Sequence, residues 1–373
     1  MALRIAIISP NRQAYSETFI TDLIAGLQGE KLVLIDGALP TRAADGTPLL
    51  THDLTARLGR AVRQHIFGAT TEAFQRESVT NALRAHRTEV VLAEYGPTAA
   101  AMFPVCKAAG IPLVAHFHGV DAYHHDVLMK HAKSYPEMLK GASAVIGVSK
   151  EMVRQLVSLG APAERTHHIS CGVDTRRFPA CQPELAPPVL VAVGRFVEKK
   201  GPYLTLLSFQ HALAEVPDAR LVMIGDGPLL ETCQRIARAM GIHDQVSFAG
   251  VLPHDVVQER LRAARGFVQH SNATAKNDRE GTPVAVLEAM ASGLPVVATR
   301  HAGIADAIED GRSGLLSEEG DVRAMAVNLV RILQDPPLAA RIGAQARARI
   351  EKAYTQRQQF ASIQWLLEQA VRG

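Results

Sequence analysis

Two glutamates separated by seven residues stand out in the run Asp278-Arg-Glu280-Gly281-Thr282-Pro283-Val284-Ala-Val-Leu-Glu288-Ala-Met-Ala-Ser-Gly293-Leu-Pro295. Thr282 is suited to cap a helix, Pro283 to occupy its first position and Gly293 to end it. Such a helix opens beside Glu280. The N–H groups of Val284 and Ala285 would lack intrahelical partners and could face an anion, with the helix dipole behind them. Glu280 falls in the loop. Glu288 falls inside an otherwise apolar helix, where a carboxylate is either buried against a partner or turned to the outer face, and the sequence leaves both open.

A second constellation is Val193-Gly194-Arg195-Phe-Val-Glu-Lys-Lys200-Gly201-Pro202. An apolar run ends, a glycine permits a turn, two cations follow, and a proline fits the first turn of a helix. Cations beside free helix N–H groups suit a diphosphate, although a solvated loop would read the same way. A third, Ile224-Gly225-Asp226-Gly227-Pro228, allows close backbone approach and is weak by itself. In the first half, Val114-Ala-His116-Phe-His118-Gly119-Val-Asp121 ends another apolar run. His116 and His118, two apart, share one face of a strand. With His124, His125 and His131 nearby they invite a metal reading. No carboxylate–histidine spacing supports it, and a polar lining is the favoured expectation: no metal, no cofactor.

These groups need elements to hold them. Short apolar runs at residues 3–8, 32–35, 90–93, 113–117 and 145–148 alternate with helix-length segments such as 17–27 and 78–86. A second series follows at 189–193, 221–224, 246–248, 266–270 and 295–298. Apolar strands separated by helices predict parallel sheets covered on both faces, hence an α/β fold. The proline-rich stretch 181–188 predicts a linker, which places one domain at 1–183 and a second at 184–354. A final helix holds Trp365, the single tryptophan, and could close either domain. In open α/β sheets ligands bind beyond the carboxyl ends of the strands, where each constellation falls.

The 373 residues are 47% hydrophobic and 21% charged, enough for two cores. A net charge of +3 is too small to argue for nucleic-acid binding. Four scattered cysteines fit a reduced, cytoplasmic setting, and neither a signal peptide nor a spanning segment is read. The fingerprint of dinucleotide-binding dehydrogenases is absent after either first strand. Arg57, Arg60 and Arg63 recur every three residues, a basic helix face that would suit a peripheral contact at the inner face of the membrane.

Together the spaced motifs resemble glycosyltransferase family 4. The resemblance includes Gly194-Arg195 with Lys200-Gly201, Gly225 to Pro228, the two glutamates, and Ile169-Ser-Cys171-Gly-Val-Asp-Thr-Arg-Arg-Phe178. Ser16-Glu17-Thr18-Phe19-Ile20 and Glu280-Gly-Thr-Pro283 resemble an exopolysaccharide-type subgroup. Ser16 and Thr18 stand where a glycine pair is common, and Pro283 lacks an N–H.

The resemblance implies the GT-B fold, two facing Rossmann-like domains with the site in their cleft and the helix 355–373 completing the first. It implies that Arg195 and Lys200 hold the donor diphosphate and Glu288 the ribose, and that Glu280 and His118 meet the transferred sugar. Gly225, Gly250, Val251, Leu252, Gly281, Thr282, Pro283 and Val284 would line the donor site. Ser16, Glu17, Thr18 and Asp121 would lie on the acceptor side. The implied activity is metal-independent, retaining transfer of a hexose from a nucleotide-sugar, UDP-linked by default and GDP-linked as the alternative. The acceptor would be a saccharide, a lipid-linked saccharide or a small molecule. An epimerase on the same fold, or a silent sugar-nucleotide-binding scaffold, are the competing readings.

Overall fold

The structure is a computed structural model that describes residues 2–11, 18–50, 65 and 70–373. It divides into two compact units. One comprises 1–148, 152–169 and 360–373, the other 149–151 and 170–359. The expected break at 183 therefore moves back to Ile169/Ser170. Backbone pairing explains the shift: Val173 N–H donates to Tyr354 O and Gln356 N–H to Val173 O, while Gly172 N–H donates to Gln359 Oε1. These bonds fasten 170–178 to the second unit well before the prolines.

The first unit holds a seven-stranded sheet: β1 (Arg4–Ile8), β2 (Glu30–Ile35), β3 (Arg42–Ala43), β4 (Val90–Glu94), β5 (Leu113–Phe117), β6 (Ala144–Gly147) and β7 (Thr166–His168). Their order is β3-β2-β1-β4-β5-β6-β7, and every pair is parallel except β2 with β3. Ile5, Ile7, Leu92 and Val114 pack with Ile363, Leu366 and Leu367 of the final helix Gln356–Arg372. From Phe360 onward that helix belongs to the first unit, which resolves the choice left open by the sequence.

The second unit holds β8 (Val189–Val193), β9 (Arg220–Ile224), β10 (Val246–Gly250), β11 (Gly266–Gln269), β12 (Val296–Thr299) and β13 (Leu315–Ser317). They form a wholly parallel sheet ordered β10-β9-β8-β11-β12-β13. Each sheet reverses direction next to its first strand, between β1 and β4 and between β8 and β11. That reversal opens the crevice in which doubly wound sheets receive ligands. Among the described residues no helix is long and apolar enough to cross a membrane.

Candidate active site

In the second unit the chain leaves β8 at Gly194-Arg195, makes a short 3₁₀ turn at Glu198–Lys200, and enters the helix Pro202–Leu213 through Gly201 at φ 48°. The neighbouring turn presses close. A Cβ on Gly225, at φ 134°, would sit 2.1 Å from Gly194 O, so only glycine lets the two loops touch. Arg195 is exposed, whereas Lys200 turns inward. Its Nζ lies 3.1 Å from Glu280 Oε2, with side chains 15% and 9% exposed. Burial holds the Lys200 ammonium below its ordinary value, and Glu280 offsets this only in part. Burial pushes the Glu280 carboxyl up, but Lys200 and Lys199 outweigh it, so it stays below its ordinary value. Glu280 Oε1 is buried with no partner among the described residues, an acceptor in want of a donor.

The loop carrying Glu280 is fixed by groups that the sequence reading did not single out. Glu280 N–H donates to His301 Nε2 at 3.1 Å, and His301 Nδ1 lies 2.6 Å from Glu319. Glu319 also accepts from Ala273 N–H at 2.8 Å. Lys199 binds Asp278 at 3.1 Å. Gly303 N–H donates to Gly281 O at 2.9 Å, and a Cβ on Gly303 would lie 2.5 Å from that oxygen.

The helix after Glu280 is Val284–Ala291, one residue later than expected. Pro283 itself is the N-cap, at φ −67° and ψ 111°, and Thr282 is buried ahead of it. Thr282 is thus not the N-cap residue, while the first-turn N–H groups of Val284 and Ala285 remain without intrahelical partners. Glu288 is half-buried, and its Oε1 lies 3.0 Å from His254 Nε2. Phe178 packs edge-on to His254 at 5.7 Å, and Gln258 binds its other nitrogen. Gly250 ends β10 at φ 66° and accepts from Gly225 N–H, and Val251 beyond it is half exposed. Arg195, Lys200, Gly225, Gly250 and Glu280 thus end or follow strands, and Glu288 lies within the helix after Glu280, all in one unit.

The first unit carries a separate cluster. Glu94, the last residue of β4, is fully buried and meets two imidazoles. His118 Nε2 is 2.6 Å and His116 Nδ1 is 3.1 Å from Glu94 Oε2. Burial would raise the Glu94 carboxyl, but the two histidines overcome it and hold it at about 2. His116, expected to line a polar surface, lies instead wholly inside, because its strand is covered on both faces. Asp121, expected on the acceptor side, is 1% exposed. Its carboxylate accepts from the N–H groups of Gly96, His118 and Gly119 at 2.9, 3.0 and 2.8 Å, so it braces the loop from within. One ligand atom each from Glu94, His116 and His118 fall within 4.8 Å of one another, a spacing a small cation would also accept. Glu94 is 22 residues from His116 in sequence, which is why no metal-type spacing was legible. Ser16, Glu17 and the side chain of Thr18 lie outside the described residues, as do Arg57, Arg60 and Arg63.

The chain matches two family models: "Glycosyltransferase Family 4" over residues 16–177 and "Glycosyl transferases group 1" over residues 177–349. It is 31% identical to the amylovoran biosynthesis glycosyltransferase AmsK of Erwinia amylovora, over 68% of this chain and 63% of that protein. Thus the match spans a little under two-thirds of that relative. It is 30% identical to a putative colanic acid biosynthesis glycosyltransferase, WcaL of Escherichia coli K12, over 72% of this chain and 68% of the relative. Among solved structures it resembles Anabaena HepE in complex with UDP and glucose, with TM-score 0.76, 19% identity and full coverage of both chains. It also resembles sucrose-phosphate synthase from Thermosynechococcus elongatus, with TM-score 0.72, 19% identity and 98% coverage of each. With two parallel-sheet Rossmann-like units and these matches along its length, the chain belongs to glycosyltransferase family 4 and has the GT-B fold.

Proposed function

We propose that this protein transfers a hexose from a nucleoside-diphosphate sugar to a hydroxyl of a saccharide, lipid-linked saccharide or small-molecule acceptor, with retention and without an obligatory metal. The observation that carries the reading is the Lys200–Glu280 pair beside Arg195, with Glu280 Oε1 left as an unused buried acceptor. Cleaving the bond between the sugar C1 and the diphosphate sends its electron pair to the leaving oxygen. Arg195, Lys200 and the first-turn N–H groups of the helix Val284–Ala291 are the groups to neutralise that charge. The acceptor oxygen attacks from the same face, and its proton passes to the departing diphosphate. Glu280 takes a sugar hydroxyl on Oε1, and Glu288 takes the ribose hydroxyls. His118 serves the sugar.

HepE was solved with UDP and glucose. Other relatives, at 28–31% identity, are named for GDP-mannose. Both nucleotides therefore belong in the test. The polysaccharide-synthesis names of AmsK and WcaL favour a saccharide acceptor. The experiment is a panel of UDP- and GDP-sugars scored by thermal shift and by nucleotide release with saccharide acceptors, each with and without EDTA. One donor should stabilise the protein and turn over equally in both buffers. Stabilisation abolished by EDTA would overturn the metal-independent reading, and no response to any nucleotide-sugar would overturn the donor site.

A further inference from the structure

We propose that Glu94 is the positioning residue of His118: by accepting a hydrogen bond from its Nε2–H it selects the tautomer of the neutral ring whose Nδ1 is bare, and makes His118 a hydrogen-bond acceptor for a hydroxyl rather than a donor to a phosphate. The inference rests on the transferase reading for its substrate and on geometry for everything else.

A carboxylate is an acceptor only, so each imidazole nitrogen facing ionised Glu94 must carry its proton. At 2.6 Å from Glu94 Oε2, His118 Nε2 is a charge-assisted donor. His116 uses the same carboxylate through Nδ1, and its Nε2 is buried with no partner among the described residues. A protonated Nε2 there would be a buried donor without an acceptor, so His116 stays neutral and burial lowers its basicity. The proton pattern around Glu94 is therefore set by burial. His118 Nδ1 is the one imidazole nitrogen of the pair left to meet a ligand.

The ring has little freedom to turn. Phe19, Tyr95 and His116 stand with ring centroids 5.0, 4.7 and 4.2 Å from it. Asp121 fixes the backbone N–H of His118 itself. Tyr95, between Glu94 and Gly96, has φ 70° and ψ 140°, a backbone state that side-chain-bearing residues rarely adopt. Strain of this kind persists only where the surroundings enforce it. Here it turns the chain at the end of β4 while Glu94 stays beneath the histidine and the Tyr95 ring lies against it. A histidine locked by a buried carboxylate and three rings is pre-organised for one hydrogen-bonding role.

The test uses the full chain, labelled with ¹⁵N-histidine. The His118 resonance, assigned by its disappearance in His118→Gln, should report the Nε2–H tautomer in the wild type. Glu94→Gln keeps an acceptor oxygen and should retain that tautomer. Glu94→Ala should lose it, with kcat for whichever nucleotide-sugar the wild type uses falling at least tenfold. The affinity for the free nucleoside diphosphate should change less than twofold. A wild-type His118 carrying its proton on Nδ1 would overturn the proposal, as would Glu94→Ala with unchanged kcat or with loss of nucleotide affinity matching the loss of kcat. Stoichiometric zinc in the purified protein would overturn it too, since Glu94 would then be a ligand and not the hydrogen-bond acceptor of His118. The tautomer is read without turnover, so failure of every donor would sink the transferase reading and leave this measurement intact.

Discussion

Replacing Lys200 with methionine should separate what the Lys200–Glu280 pair does for stability from what it does for ligand binding. At 3.1 Å the two charges attract by about 5 kcal/mol at an effective dielectric of about 20. Desolvation of two groups exposed by only 15% and 9% takes back most of that. Lys200→Met leaves a buried carboxylate with neither oxygen satisfied by a cation, at a cost of about 3–5 kcal/mol. For a unit of this size that lowers Tm by roughly 10 °C. The double variant Lys200→Met/Glu280→Gln removes the stranded charge and should recover at least half of the loss. Neither variant should bind nucleoside diphosphate, because the ammonium is gone from both. The pH dependence has a definite sign. In the wild type, Glu280 lies below its ordinary 4.5, so its contribution is present above that value and fades as pH falls through the depressed pKa. In Lys200→Met burial dominates and raises the carboxyl, so the deficit should shrink as the solution is acidified. Scanning calorimetry from pH 4 to 8 and titration calorimetry with UDP and GDP give both readouts. A double variant no more stable than the single one would refute the stranded-charge argument, and retained nucleotide affinity in Lys200→Met would refute the diphosphate role.

Glu288→Ala should weaken nucleotide-sugar binding by more than tenfold, whereas His254→Ala, which removes only the carboxylate's partner, should weaken it less; equal losses in calorimetric titration would make the pair one unit. Gly225→Ala should destabilise the second unit by more than about 2 kcal/mol, since the new methyl meets Gly194 O at 2.1 Å in a backbone state alanine disfavours; an unchanged urea midpoint would contradict the loop contact. Burial holds His270 down to about 4 against an ordinary 6.5, with Glu319 and Asp321 offsetting only part of it. A depressed histidine gives stability that is complete above 6.5 and lost as pH falls towards 4, here about 3 kcal/mol. The urea midpoint should fall across that window, and His270→Asn should flatten its share of the fall.

The strands were legible wherever they were long and apolar, because a strand buried on both faces leaves a continuous hydrophobic run. The exceptions have physical reasons. β3 is two residues of an antiparallel edge, and β7, Thr166–His168, is short and polar. β13 is three residues after a glycine turn. The donor-side residues were legible because each lies in a local motif with turn chemistry. The carboxylate–histidine pairs were not: Glu94 with His118, Glu288 with His254 and Glu319 with His301 join different elements, so no spacing betrays them. The rule that ligands gather beyond strand ends would have pointed to Glu94, as the polar residue closing an apolar run. The domain break was misplaced because proline marks where regular structure stops, not where backbone pairing changes owner.

The final helix carries a consequence for synthesis. Ile363, Leu366 and Leu367 fill the same core as Ile5 and Ile7, at opposite ends of the chain. On the ribosome, the first-made strands therefore keep that core open until residues 360–373 have been made and have left the exit tunnel. The second unit, which runs to Gln359, is made in full before that segment begins. The unit begun first is then the one completed last, and deleting residues 360–373 would strand the older half of the polypeptide, not the newer.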